Sequence, residues 1–120
     1  MTKENIIILL LMIFLHIIDD YYLQGILASM KQKLWWQKNN PQKMYKYDYL
    51  MALFMHSFSW SFMIMLPSII TKSFIWWIFL INLIMHFIVD HLKANLLKIN
   101  LITDQAIHIL QIILTWLICF

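Results

Sequence analysis

Apolar residues run along this chain in four long blocks, separated by one extended polar stretch and two short breaks. The blocks cover about residues 6–24, 49–66, 74–97 and 101–120. Each is close to the roughly 20 residues that a helix needs to cross a bilayer. The polar stretch, residues 25–48, carries Lys31, Lys33, Lys38, Lys43 and Lys46, the Asn39-Asn40-Pro41 breaker and the Trp35/Trp36 pair. Tryptophan with lysine suits the membrane–water boundary, so Ala28 to Gln37 is expected as a short amphipathic helix on the surface. Pro67 is expected to stop the second span, and Lys98-Ile99-Asn100 to form a tight connection before the fourth. The pattern predicts an all-α polytopic membrane protein, a four-transmembrane-helix bundle with a short interfacial helix in its first loop. All 120 residues belong to a single transmembrane domain.

Composition narrows the class further. The chain is 62% hydrophobic and 12% charged, against about a quarter charged in soluble domains. The first block lacks a basic leader of any strength and a small-residue cleavage site, so it reads as a span and not as a removable signal. The single cysteine, Cys119, excludes a disulfide framework and a cysteine-based zinc site. All nine basic residues are lysines. With no arginine and no solvated basic face, nucleic acid is not expected as a partner.

The lysines set an orientation. Seven of the nine lie between the first two spans or at Lys93 and Lys98, leaving only Lys3 and Lys72 on the other side. By the positive-inside rule the long loop is cytoplasmic and both termini are outside. His16 and Asp20 then fall late in the first span and His56 early in the second. His86 and Asp90 fall late in the third, and Asp104 and His108 early in the fourth. Every span thus places its ionisable residues at one depth, in the cytoplasmic half. Such residues are costly in lipid and are retained where they face protein, ion or water.

Three of these pairs share a four-residue spacing, which puts both members on one helix face. Neutral imidazole with carboxylate suits zinc, manganese or iron. The candidate metal ligands are therefore His16, Asp20, His56, His86, Asp90, Asp104 and His108. Gln24, Asn82 and Gln105 continue the same faces and are expected behind the ligands. Lys93 extends the Asn82–His86–Asp90 stripe, placed either to hold an anionic substrate or to snorkel to the interface. Asp19 is expected to point elsewhere, as a boundary residue or one behind the ligands, His91 lies about 100° off the stripe, and Asp104 has the competing role of a helix N-cap. Trp76, Trp77 and Trp116 read as belt residues near the outer interface.

His16-x3-Asp20-x3-Gln24, His56, His86-Phe-Ile-Val-Asp90-x2-Lys93 and Asp104-Gln105-Ala-Ile-His108, in that order, resemble the bacterial and phage membrane family catalogued as domain of unknown function 3307. The chain is also loosely similar to membrane-bound metal-dependent hydrolases. The resemblance implies a compact helical domain in the bacterial inner (plasma) membrane whose His and Asp residues form one site. Asp19 before the motif Asp departs from the more usual apolar residue.

The functional expectation is a metal-dependent hydrolase holding one or two divalent ions, acting on a lipid, lipid-linked or phosphate-bearing substrate at the cytoplasmic leaflet. Asp104 or Asp20 would serve as general base and Lys93 would stabilise developing negative charge. Membrane lipids are the expected surroundings, and a homo-oligomer fits four short spans. Three other readings use the same residues: a divalent-cation or proton transporter, a haem-binding electron carrier, and a non-catalytic protein whose His–Asp pairs join helices.

Overall fold

The structure, a computed structural model, describes residues 2–120. Helix α1 (Lys3–Ile17) runs directly into a π-helical turn (Ile18–Leu23). Two short helices follow, α2 (Leu27–Met30) and α3 (Lys33–Asn39), then a 3-10 turn at Lys43–Tyr45. The long helices α4 (Asp48–Ile70), α5 (Trp76–Ala94) and α6 (Leu101–Cys119) complete the chain. Lys3–Leu23, Lys43–Ile70, Trp76–Ala94 and Leu101–Cys119 are each long and apolar enough to span a membrane. Helix α4 packs against α1 and α5, and α6 packs against α5 and α1, closing a four-helix bundle.

Burial in this bundle is inverted relative to a water-soluble protein. Buried polar and charged residues outnumber buried hydrophobic ones, while Ile7, Leu10, Phe14, Phe54, Ile84, Leu110 and Leu117 point outward. An outer surface of this kind is too apolar for water and suits hydrocarbon. The polar interior is concentrated at the end that carries α2 and α3. The opposite end is filled by Met12, Ile64, Met65, Ile78, Ile112 and Trp116, with Trp60 reaching down between the two zones. Both described ends of the chain meet there, where the Trp116 indole N–H donates to the Asn5 carbonyl at 2.8 Å. Trp116 is therefore a core residue and not a belt residue, because its donor finds a backbone partner inside the protein. Trp76 and Trp77 remain exposed.

Two expected boundaries are corrected. Pro67 does not end the second span, since α4 continues through it to Ile70. Proline removes only its own backbone donor, the one due to the Met63 carbonyl, and it sits in the last turns, where helical bonding resumes as the Thr71 amide donates to the Pro67 carbonyl at 3.0 Å. The helix stops at Lys72 instead, whose φ of 62° is left-handed. There the Lys72 and Ser73 amides donate to the Ile69 and Ser68 carbonyls, closing the end in a Schellman pattern. The interfacial helix is not continuous over Ala28 to Gln37 either. It breaks between α2 and α3, where Gln32 is extended at φ −96° and ψ 121°. Asn95 at the end of α5 fixes this break: its Oδ1 accepts from the Lys33 amide at 2.6 Å and its Nδ2 donates to the Lys31 carbonyl at 2.9 Å. The Trp36 indole donates to the Met30 carbonyl from the other side. Tertiary contacts thus turn Lys31 inward, away from the surface.

Gly25, the sole glycine, has φ 52° where the chain leaves the first span. Nothing crowds a Cβ there, the nearest atom being 4.0 Å away, so the backbone conformation alone selects the residue. Gly25→Ala is expected to destabilise by about 1 kcal/mol and Gly25→Asn by less, and thermal unfolding in detergent would read that rank order.

Candidate metal centre

All four long helices send ionisable side chains to one buried point. The i, i+4 pairs on α5 (His86, Asp90) and α6 (Asp104, His108) face inward on adjacent helices. His56 comes from α4, and His16 and Asp20 from the first span. His16, Asp20, His56, His86, Asp90, Asp104 and His108 are all buried, none more than 4% exposed. Asp19 joins them. A π turn carries more residues per turn than an α-helix, so neighbours are rotated by less than the usual 100° and both Asp19 and Asp20 face the interior.

Three imidazole Nε2 atoms and three carboxylates define the centre. His56 Nε2 lies 3.2 Å from Asp20 Oδ1, 3.2 Å from His86 Nε2 and 3.4 Å from Asp90 Oδ2. His86 Nε2 is 3.8 Å from Asp90 Oδ2. His108 Nε2 is 3.5 Å from Asp90 Oδ1 and 3.4 Å from Asp104 Oδ1. Several of these separations exceed a normal hydrogen bond, which ends near 3.2 Å. They match the roughly 3.4 Å between two ligands of one tetrahedral ion with bonds of about 2.1 Å. Three overlapping groups can each hold a metal ion: Asp20/His56/His86, His86/Asp90/His108 and Asp20/Asp104/His108. Asp90 spans the centre, one oxygen toward His56 and His86 and the other toward His108.

Hydrogen bonds behind the centre fix how these groups are presented. The Trp60 indole can only donate, and it donates to His16 Nδ1 at 2.7 Å. His16 Nε2 must then carry the proton and donate to Gln105 Oε1 at 3.0 Å. That sets the Gln105 amide, whose Nε2 donates to Asp20 Oδ2 and Asp104 Oδ2, both at 2.9 Å. A second chain acts on His108. Asn82 Nδ2 donates to Thr115 Oγ1 at 2.8 Å, Gln111 Nε2 donates to Asn82 Oδ1 at 3.4 Å, and Gln111 Oε1 is left to accept from His108 Nδ1 at 3.2 Å. Neutral His108 therefore turns its Nε2 lone pair toward two carboxylates, the orientation that a metal-ligating histidine takes from its outer hydrogen bond.

The expected site residues thus divide by position. Asp20, His56, His86, Asp90, Asp104 and His108 meet at the centre. His16 does not offer a free nitrogen and acts on Asp20 and Asp104 through Gln105. Asn82 acts on His108 through Gln111, and Gln24 reaches only the Asp20 backbone carbonyl. Asp104 is not the helix cap, because Asn100 holds that place by accepting from the Thr103 amide. Lys93 Nζ donates to Asp104 Oδ2 at 2.6 Å with its side chain 25% exposed, at the edge of the centre. His91 lies apart, stacked on Tyr49.

Two participants, Lys31 and Trp60, were not expected at the centre, and Asp19 takes the place behind a ligand that was one of its two expected roles. Lys31, 5% exposed, places Nζ 2.6 Å from Asp90 Oδ2. Asp19 accepts from Ser59 Oγ and sets its other oxygen 4.0 Å from His56 Nδ1, behind that ring. Trp60 lies with its ring 4.2 Å from that of His86. The paired acids at positions 19 and 20 were a sequence signal for Asp19. Lys31 had none, because its inward turn is set by contacts with Asn95 and Trp36.

Comparison with protein-family models, with curated proteins and with solved structures finds no match for this chain. What stands is four membrane-length apolar helices around His and Asp groups that can hold a metal ion.

The hydrogen-bond polarity has a direct readout. His16 is expected as the Nε2–H tautomer and neutral His108 as the Nδ1–H tautomer, which long-range 1H–15N correlation spectra distinguish. A reversed His16 tautomer would mean that the Trp60–His16 hydrogen bond is not made, and a reversed His108 tautomer that the Gln111 amide points the other way. Trp60→Phe keeps a ring against His86 but strands the His16 acceptor, an expected loss of about 1–3 kcal/mol in unfolding free energy.

Proposed function

We propose that this chain is an integral membrane metal protein whose divalent ion supports hydrolysis of a phosphate-bearing or lipid-linked substrate at the membrane surface. The observation that carries it is the convergence of the His56, His86 and His108 Nε2 atoms with the Asp20, Asp90 and Asp104 oxygens at ligand-to-ligand spacing. The donor set of imidazole and carboxylate favours zinc, with manganese and iron the other candidates. A bound divalent ion of this kind lowers the pKa of water and supplies a nucleophile at neutral pH. In this reading Lys93 and half-buried Gln105 mark the side from which a substrate reaches the centre. Lys93 stabilises developing negative charge, while Asp104 or Asp20 takes the proton. The lysine distribution supports a centre in the cytoplasmic half, close to phospholipid headgroups. Membership in the family catalogued as domain of unknown function 3307 is part of the same proposal, supported by the four ordered motifs.

Elemental analysis of detergent-purified protein tests the metal directly. Wild type is expected to retain near-stoichiometric zinc, manganese or iron, and His86→Ala and Asp90→Ala are expected to lose it. A folded wild-type protein that neither contains nor takes up these ions would sink the reading. Release of phosphate or headgroup from phospholipid and lipid-phosphate substrates, abolished by chelation and by Lys93→Ala, tests the hydrolytic half.

Cation transport is a second reading, favoured by the hydrogen-bonded track from His108 through Gln111 and Asn82 to Thr115. The track runs into the packed apolar end formed by Met12, Ile64, Met65 and Ile112, which opposes a continuous path. Proteoliposomes loaded with a zinc- or manganese-sensitive dye are expected to show no protein-dependent uptake.

A further inference from the structure

The two halves of the centre are not equivalent. On the His108 side, Asp90 Oδ1, Asp104 Oδ1 and His108 Nε2 are fully buried and lack a hydrogen-bond partner among the described residues, although they lie within 3.5 Å of that nitrogen. With His108 neutral, three electron-rich atoms face one another in a low-dielectric interior and need a cation among them. On the His56 side the atoms that face the centre have partners, and the unpartnered ones, Asp19 Oδ2, His56 Nδ1 and His86 Nδ1, belong to Asp19 and to the other ring nitrogens. His56 Nε2 is within 3.2 Å of both Asp20 Oδ1 and His86 Nε2. Asp90 Oδ2, the oxygen on that side, holds the Lys31 ammonium at 2.6 Å.

Charge counting agrees with this asymmetry. Asp19, Asp20, Asp90 and Asp104 bring four negative charges to the buried centre, and Lys31 and Lys93 bring two positive ones. With neutral imidazoles the remainder is minus two, which one divalent ion cancels and two would overshoot. Lys31 is also poorly placed to leave. Its own carbonyl is held by Asn95, as is the Lys33 amide that follows.

We propose that the centre binds a single divalent ion on the His108 side, and that the Lys31 ammonium is a built-in cation standing where a second metal would bind. This rests on the metal-binding reading above and adds the ion count and its cause. The ion is held by His108 with Asp104 and Asp20, or with Asp90 and His86. The Asp20/His56/His86 group is metal-competent in its donors and is kept from a second ion by Lys31 beside it. Lys31 is therefore a specificity residue: it decides nuclearity.

Manganese is the probe, because electron paramagnetic resonance separates isolated Mn(II) from a coupled pair. Metal-stripped full-length protein in detergent would be titrated with Mn2+ as wild type, Lys31→Met and Lys31→Arg, with bound metal counted per chain. Wild type and Lys31→Arg are expected to take one ion with an uncoupled spectrum. Lys31→Met is expected to take two, with the spectrum of a coupled pair. Should the methionine variant fail to fold, Lys31→Gln keeps a polar chain without the charge and carries the same expectation. Two ions in wild type, or one ion in a folded charge-free variant, would overturn the role given to Lys31 while leaving the metal centre standing. No ion in any variant would overturn both.

Discussion

Four carboxylates buried where lipid surrounds the protein impose the constraint on which this structure depends. An unpaired carboxylate in that environment is far more costly than any single packing defect. Three of the four long helices set groups against the acids: imidazoles from α4, α5 and α6, and an ammonium from α5. The segment between the first two spans contributes a second ammonium by folding back over the bundle. The remainder of the interior follows from the same need. Gln105 ties Asp20 to Asp104, Ser59 caps Asp19, and Gln111 with Asn82 sets the His108 ring. Apolar packing is left to the opposite end, where no charge has to be matched.

Much of this was legible in the sequence, because periodicity and cost act locally. Four apolar blocks of membrane length give four helices, and the i, i+4 pairs in three of them fix one inward face each. Agreement in depth among His16, His56, His86 and Asp104 follows from chain direction alone. What escaped depends on contacts far apart in the chain. Trp116 finds its acceptor at Asn5, 111 residues away, and Lys31 finds Asp90, 59 residues away. The proline rule at Pro67 is a local tendency, overridden where the missing donor costs one helical bond near the helix end. His16 looked like a ligand because spacing shows which face a ring occupies and not which of its nitrogens are taken. Only Trp60 and Gln105, placed on either side of it, settle that.

Hydrogen-bond polarity links the two ends of the centre. A tryptophan indole cannot accept, and this one-way donor orders His16, Gln105 and two carboxylates in sequence. No step in that chain can be reversed alone without leaving a buried group unpaired. The carboxylates are thereby held by their Oδ2 atoms, and Asp20 Oδ1 and Asp104 Oδ1 remain directed at the imidazoles. Rigidity of this sort keeps the donor atoms at the spacing that two ligands of one ion would need.

The same-helix pairing of His86 with Asp90 and of Asp104 with His108 also bears on how the chain enters a membrane. A span carrying a lone aspartate would have to expose it to hydrocarbon until its neighbours arrived. Here each of the last two spans carries an imidazole one helical turn from its acid. The third also carries Lys93 near its end, within reach of the interface. The third segment can therefore partition as a helix with Lys93 opposing the charge of Asp90, and the fourth with Asp104 in its first turn near the interface, before α1 and α4 close around them. Insertion of the parts and assembly of the whole are thus separable events, and the centre comes into being only at the second.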